Sequence, residues 1–96
     1  MSPINKNKLN LLRVKLDKLD NELLKLIKKR SNFVNEVLKV KTHKQEIIDH
    51  KRINFILKKI KIKSVQLKID PKITNRIWKN MIWSFIDYEK RNFKKK

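Results

Sequence analysis

The most informative ionisable residue in this 96-residue chain is Arg30. Apolar residues between Leu9 and Val40 fill the a and d positions of one heptad register, and Arg30 occupies the one slot that breaks it. A guanidinium on an apolar stripe needs an anionic partner, because burying it unpaired is costly. That partner is either a protein carboxylate in a structural salt bridge or a ligand carboxylate, which the arginine fork binds bidentately.

Two further cations are placed relative to Arg30 by helical geometry. Lys41 follows Arg30 by eleven residues, about 1100°, which puts the two side chains about 20° apart around a helix. Both are therefore predicted to face one space. Arg13 precedes Arg30 by seventeen residues and points about 100° away. Arg13 is either a solvated surface residue or a contribution to the pocket of a neighbouring chain.

Polar residues also interrupt the apolar stripes of two later helices. Arg52 is predicted on the buried side of a second helix, between Ile48 and Ile56, with Asp49 one helical step away to orient it. Glu89 continues, at i+4 spacing, the third-helix stripe of Ile73, Ile77, Met81 and Phe85. Glu89 either belongs to a site or is simply exposed where the helix leaves the core.

The elements that must position these residues are predicted to be helices only. The first helix covers about residues 5–41, a polar loop covers 42–46, and a second helix covers about residues 48–61. Residues 62–69 give no clear pattern. Asp70 as a cap and Pro71 in the first turn predict the start of a third helix, which ends near Phe93. We expect one domain over residues 1–96, with a frayed basic tail at about 91–96.

Composition excludes several classes of site. The chain contains no glycine, so a dinucleotide-binding turn, a P-loop and a nucleophile elbow are excluded. It contains no cysteine, and its two histidines, His43 and His50, lack a suitable third ligand, so no metal site is predicted. The first residues lack the apolar region of a signal peptide, and no apolar run is long enough for a membrane span. We therefore expect a cytoplasmic protein without membrane contact.

The net charge of the chain and the length of its predicted first helix both indicate what it could bind. The net charge of +18 attracts anions, so a basic helical nucleic-acid binder is an alternative, although it offers no reason for Arg30 at an a position. Most lysines fit a compositional bias that spreads solvated cations over the surface. A first helix of about 37 residues would be about 55 Å long, more than so small a globule can cover. A second copy is expected to lie along it.

The order and spacing of these residues resemble the AroQ class of chorismate mutases over nearly the whole chain. The first helix carries an L-x-x-L-R-like element at residues 9–13, a D-x-x-D-x-x-L-L element at 17–24, the Lys29-Arg30 pair and a V-x-x-x-K element ending at Lys41. A D-x-x-R element follows at 49–52, then an I-W-x-x-M-I element at 77–82, with Glu89 seven residues further on.

This resemblance implies an intertwined, all-helical homodimer that rearranges chorismate to prephenate in aromatic amino acid biosynthesis, without cofactor or metal. Arg30, Lys41 and Arg52 would line the pocket, and the neighbouring subunit would supply Arg13. Lys41 would donate to the ether oxygen of the substrate. Glu89 would also donate there when protonated, a form that burial against Phe85 and Ile82 would favour. Asp49, Ile53 and Phe85 complete the implied substrate-binding set.

One departure from the family pattern concerns the substrate. Family mutases often have a glutamate directly after the arginine of the second helix, where this chain has Ile53. That change resembles the isochorismate-pyruvate lyases, relatives with the same fold that form salicylate, and also some small mutases. At the position of Glu89 the family often has glutamine. The sequence therefore leaves both reactions open.

Overall fold

The computed structural model describes residues 2–95 as three α-helices joined by short connections. In chain order these are α1 (Pro3–Val40), a single 3₁₀ turn (Lys44–Glu46), α2 (His50–Gln66) and α3 (Pro71–Asn92), with no strand among the described residues. The predicted all-α class and long first helix are confirmed. Met1, and Lys96 of the basic tail predicted to fray, lie outside the described residues.

The chain divides into two compact units, Met1–Phe33 and Val34–Lys96. The first consists of α1 as far as Phe33. None of the residues of α1 is buried. Leu9, at the start of the predicted heptad stripe, is half-buried, and the other five leucines of the stripe are more than half exposed: Leu12 56 %, Leu16 57 %, Leu19 60 %, Leu23 54 % and Leu26 58 %. This unit has the apolar pattern of a packing surface but no core of its own.

The second unit contains the core, which lies where α2 and α3 pack against each other. Four isoleucines are buried in one cluster, and half-buried apolar residues surround it: Ile47, Ile53, Ile82 and Ile86, then Ile48, Ile56, Leu57, Trp78 and Phe93. Burying each such side chain contributes about 1.5–3 kcal/mol. The α2–α3 hairpin is therefore the stable frame on which a site can be built.

The helix boundaries follow local chemistry. The side chain of Asp70 accepts a hydrogen bond from the Lys72 amide at 2.9 Å, with Pro71 in the first turn, so the predicted start of α3 is confirmed. Asp49 caps α2 in the same way, accepting the Arg52 amide at 3.0 Å. The unclear stretch after residue 61 is helical as far as Gln66.

The turn between α2 and α3 requires a left-handed residue, and the chain has no glycine to supply it. Lys68 takes that conformation, with φ of 58°. The Lys68 amide donates to the Val65 carbonyl at 3.1 Å, and the Ile69 amide donates to the Ser64 carbonyl at 2.9 Å. These two bonds form a Schellman motif, which ends α2 and directs the chain into α3.

The predicted buried stripe of α3 is wrong at its N-terminal end. Ile73 and Ile77 are 56 % and 52 % exposed, while Thr74, Ile82, Ile86 and Glu89 are buried. Each i+4 step advances about 40° around a helix, so a stripe from residue 73 to residue 89 drifts by about 160°. Only one end of such a stripe can face the core, and here it is the end that carries Glu89.

The predicted buried side of α2 is also wrong for Arg52, which is exposed in this chain. Ile53 is buried instead, with Ile56 and Ile60 half-buried on the same side. Arg52 lies about 100° from Ile53 around the helix, and Phe55 about 160°. Phe55 is accordingly 56 % exposed.

Candidate active site

The centre of the candidate site is an ion pair between Lys41 and Glu89. Lys41 Nζ lies 3.2 Å from Glu89 Oε2 and 3.5 Å from Oε1. Their side chains are only 16 % and 8 % exposed, whereas the side chains of the other ion pairs between described residues are mostly exposed. A lysine ammonium carries three donors, so Lys41 can hold Glu89 and still donate to a bound molecule.

Local structure places both members of the pair. Lys41 is the first residue after α1, and its amide donates to the Leu38 carbonyl at 3.3 Å, which continues the helical path by one more residue. Glu89 lies one turn beyond Ile86 on the buried side of α3. Glu89 is buried, so the interpretation that it is simply exposed is wrong, while its role in a site stays a prediction. The structure adds a direct ion pair with Lys41, a contact that the sequence did not predict.

Three further predicted site residues have local roles in the second unit. Ile53 belongs to the core cluster with Ile82 and Ile86, so an apolar group stands where the family often has a glutamate. Asp49 caps α2 through the backbone amide of Arg52, which differs from the predicted orientation of the guanidinium. The Arg52 guanidinium lies over the ring of Phe55, 5.4 Å from its centroid.

The remaining predicted residues are Phe85, Arg30 and Arg13. Phe85 is half-buried on α3. Arg30 is half-buried and Arg13 is exposed, and both lie on α1 within the unit Met1–Phe33. The structure thus brings Lys41 and Glu89 together directly, whereas the roles of Arg13 and Arg30 at the same site stay predictions.

Sequence reasoning missed one polar contact next to this pair. The Tyr88 hydroxyl donates to Asn35 Oδ1 at 2.8 Å, and both residues are half-buried. Tyr88 immediately precedes Glu89, and Asn35 lies on the last part of α1. The signal available was Asn35 itself, a poor helix former inside a helix, beside the apolar Val34. Nothing in the sequence indicated that its partner would be Tyr88.

Among residues 2–95, no group of three or more His, Asp or Glu side chains is arranged to hold a metal ion. No helix in the same part of the chain is long and apolar enough to cross a membrane. What these residues do offer is a desolvated cation beside a carboxylate at the edge of a helical core. The lysine of such a pair can donate a hydrogen bond to a polar small molecule in an environment of low dielectric constant.

The described part of the chain is therefore an all-helical protein with a largely buried Lys41–Glu89 pair as its candidate site. Residues 12–90 match the family model described as chorismate mutase type II, so the chain belongs to that family. The matched region includes every residue predicted for the site, from Arg13 to Glu89. No curated protein and no solved structure matches the chain significantly.

Proposed function

We propose that this protein is a homodimeric chorismate mutase that rearranges chorismate to prephenate in the cytoplasm, for aromatic amino acid biosynthesis, without a metal or cofactor. Family membership supports the reaction class, and the observation that carries the proposal is the Lys41–Glu89 pair. The reaction is intramolecular and needs no covalent intermediate. The protein has to hold the substrate in its reactive conformation and stabilise charge that develops on the ether oxygen.

Lys41 is the group proposed to donate to that oxygen. In the free protein its ammonium is held by Glu89, so little reorganisation is needed when the substrate arrives. Glu89 donates a second hydrogen bond to the same oxygen in its protonated form, in which it no longer pairs with Lys41 as a carboxylate. Arg30, and Arg13 of the neighbouring subunit, bind the two substrate carboxylates, and Arg52 binds a carboxylate or positions the pocket.

The exposed stripe of α1 supports the dimer. Five leucines at heptad positions are each more than half exposed, which is the pattern of a helix that packs along another helix. A second copy lying along this stripe would bury it. The same arrangement would bring Arg13 of one chain to the pocket of the other.

Replacing Lys41 tests the catalytic assignment. Lys41→Met keeps the length and apolar stem of the side chain but removes the donor, and we expect kcat to fall by about 10²–10³-fold. Lys39→Met is the matched control, because Lys39 lies two residues earlier and forms only an exposed pair with Glu36 at 3.4 Å. Prephenate formation at saturating chorismate measures both variants. Full activity in Lys41→Met protein would remove Lys41 from the mechanism.

Glu89→Gln separates donation by Glu89 from a purely structural role. Glutamine keeps the shape of the side chain and has an amide that donates a hydrogen bond, but it cannot form the ion pair with Lys41. If Glu89 acts as a donor, we expect the variant to keep kcat within about tenfold of wild type, measured by prephenate formation. A loss as large as that of Lys41→Met would show that the carboxylate is needed to hold Lys41 and would exclude donation by Glu89.

Complementation tests the exchange of Arg13 between subunits. Arg13→Ala and Arg30→Ala should each inactivate the homodimer. When the two variants exchange subunits, half of the dimers are mixed and one site in each regains both arginines, so about a quarter of wild-type activity should return. If activity does not return after confirmed exchange, Arg13 does not act across the dimer.

Isochorismate-pyruvate lyase is the second candidate function, and Ile53 is the observation that favours it. Ile53 is 9 % exposed within an isoleucine cluster, so it offers no polar group to hold the substrate hydroxyl. Supplying chorismate and isochorismate separately, and measuring prephenate against salicylate and pyruvate, decides between the two reactions. If neither substrate reacts, both functions are wrong.

A further inference from the structure

We propose that Asn35 and Tyr88 form a positioning pair that sets the geometry of Lys41 and Glu89. This inference rests on the proposed function, because it assigns the Asn35–Tyr88 hydrogen bond a role in the same site. The bond is 2.8 Å long and joins the last part of α1 to α3. The Lys41–Glu89 pair joins the end of α1 to the same helix at 3.2 Å.

The two links approach α3 from different directions. Tyr88 and Glu89 are consecutive residues, so their side chains leave the helix about 100° apart. A single contact would let α3 rotate about its own axis, whereas two contacts at this angle oppose rotation in both senses. The Asn35–Tyr88 bond therefore adds to the core packing of α3 a second link to α1, which restrains how Lys41 meets Glu89.

Lys41 has particular need of such support. It follows the last residue of α1, Val40, and its side chain has four rotatable bonds. Its ammonium is located by two things: where the end of α1 lies and where the Glu89 carboxylate lies. Asn35 lies six residues before Lys41 and Tyr88 one residue before Glu89, so the bond holds both backbones close to the pair.

The surroundings of Tyr88 also restrict its own movement. The Arg91 guanidinium lies 6.0 Å from the centre of the Tyr88 ring, and Arg91 Nε donates to Asp87 at 2.9 Å. The Asn92 side-chain amide donates to the Tyr88 carbonyl at 2.9 Å. Along α3 the ring is thus flanked by Arg91, and its hydroxyl is the group that reaches across to α1.

Tyr88→Phe removes that hydroxyl and keeps the ring. We expect kcat to fall by about three- to tenfold with KM within about twofold, because the arginines proposed to bind the carboxylates are untouched while the donor is misplaced. Asn35→Leu should give the same loss. The double variant should be no worse than either single variant, since both lose one shared interaction.

Ser84→Ala is the matched control on the same helix. It also removes a hydroxyl, but the Ser84 hydroxyl donates within α3, to the Asn80 carbonyl at 2.7 Å, and does not reach α1. We expect kcat for this variant to stay within about twofold of wild type. A loss in Tyr88→Phe that equals the loss in Ser84→Ala would overturn the positioning role.

A second measurement does not depend on catalysis. In wild-type protein a held Lys41 should show two distinct Hε proton signals, and the Lys41→Met spectrum assigns them. In Tyr88→Phe protein these signals should merge as the side chain becomes averaged. If wild type converts neither chorismate nor isochorismate, the proposed function fails while this spectrum still decides the positioning role. Unchanged Lys41 signals in Tyr88→Phe protein overturn that role.

Discussion

The two units of the chain solve the problem of burying apolar side chains in different ways. The second unit buries four isoleucines in one cluster, three of them on α2 and α3, whereas the unit Met1–Phe33 leaves five of its heptad leucines more than half exposed. A helix that exposes such a stripe gains stability mainly from packing against another surface. The hairpin therefore supplies the frame for Lys41 and Glu89, and the first unit supplies a surface whose pattern is typical of a helix that packs along another helix.

The substitution with the largest expected effect on the difference between the two units introduces a charge into the exposed heptad stripe of α1. Leu19→Lys places a cation in the proposed dimer interface of both subunits, and loss of a buried leucine alone costs about 2–5 kcal/mol. We expect dimer dissociation to increase by at least about a hundredfold. Sedimentation equilibrium measures the change, and mutase activity should become dependent on protein concentration.

Leu11→Lys is the control for that substitution. Leu11 is 65 % exposed, close to the 60 % of Leu19, but it lies outside the a and d register. Its substitution should leave association within a few-fold of wild type. If the wild-type chain sediments as a monomer, or both variants dissociate equally, the heptad stripe is not the interface.

A smaller effect is expected from the polar contact inside the hairpin. The hydroxyls of Ser64 and Thr74 are both buried and lie 2.7 Å apart, and Ser64 also donates to the Ile60 carbonyl at 2.6 Å. Thr74→Val keeps the shape and leaves Ser64 without this partner. Unfolding in urea at fixed protein concentration should show a loss of about 1–2 kcal/mol.

The double variant Ser64→Ala/Thr74→Val sharpens this result. Replacing both hydroxyls removes the unsatisfied group, so the double variant should be more stable than the sum of the single losses predicts, with a coupling of about 1 kcal/mol. Ser84→Ala, an exposed serine with the same type of bond to the carbonyl four residues earlier, should cost less than about 0.5 kcal/mol. Strict additivity would show that the two hydroxyls do not stabilise the hairpin together.

The sequence predicted where helices begin and extend better than which helix faces are buried. Heptad spacing identified α1, and the Asp70-Pro71 pair identified the start of α3, because both signals are local in the chain. The face of α3 was predicted wrongly at Ile73 and Ile77, because constant i+4 spacing does not say which part of a drifting stripe meets the core. Arg52 was misplaced for the same reason.

At the candidate site, the sequence predicted which residues take part but not which of them contact each other. Lys41 was singled out because it lies in phase with Arg30 around the first helix, and Glu89 because it is polar on an apolar stripe. Their contact depends on how the end of α1 packs against α3, across 48 residues of sequence, and one sequence carries no direct signal of that packing. The bond between Asn35 and Tyr88, 53 residues apart, was missed for the same reason.

A gain in stability is expected at the turn between α2 and α3. Lys68 holds a left-handed conformation with φ of 58°, which costs a residue with a Cβ about 1 kcal/mol relative to glycine. Lys68→Gly should therefore raise the free energy of unfolding by up to about 1 kcal/mol, as measured in urea. Lys63→Gly, inside α2, should lower it by about 1 kcal/mol. Destabilisation by both substitutions would contradict the structure of this turn.

The smallest effect concerns the connection between α1 and α2. The Thr42 hydroxyl donates to Glu46 Oε1 at 2.9 Å and holds the pKa of that carboxyl below its ordinary value, helped by the His43 amide at 3.2 Å and opposed by partial desolvation. A carboxyl whose pKa is lowered by folding adds stability above its unfolded pKa. That contribution is lost as pH falls through the folded value.

Thr42→Val removes the largest cause of this shift. The pKa of Glu46 should rise towards its ordinary value, followed by carboxyl ¹³C signals across an acid titration, while Thr42→Ser should keep it low. Because Glu46 is exposed, global stability and the Lys41–Glu89 pair should change little. A pKa unchanged by Thr42→Val would mean that the backbone amides of Thr42 and His43 and the charge of His43 hold Glu46 without the hydroxyl. The connection would then be ordered mainly by its backbone and not by the Thr42 side chain.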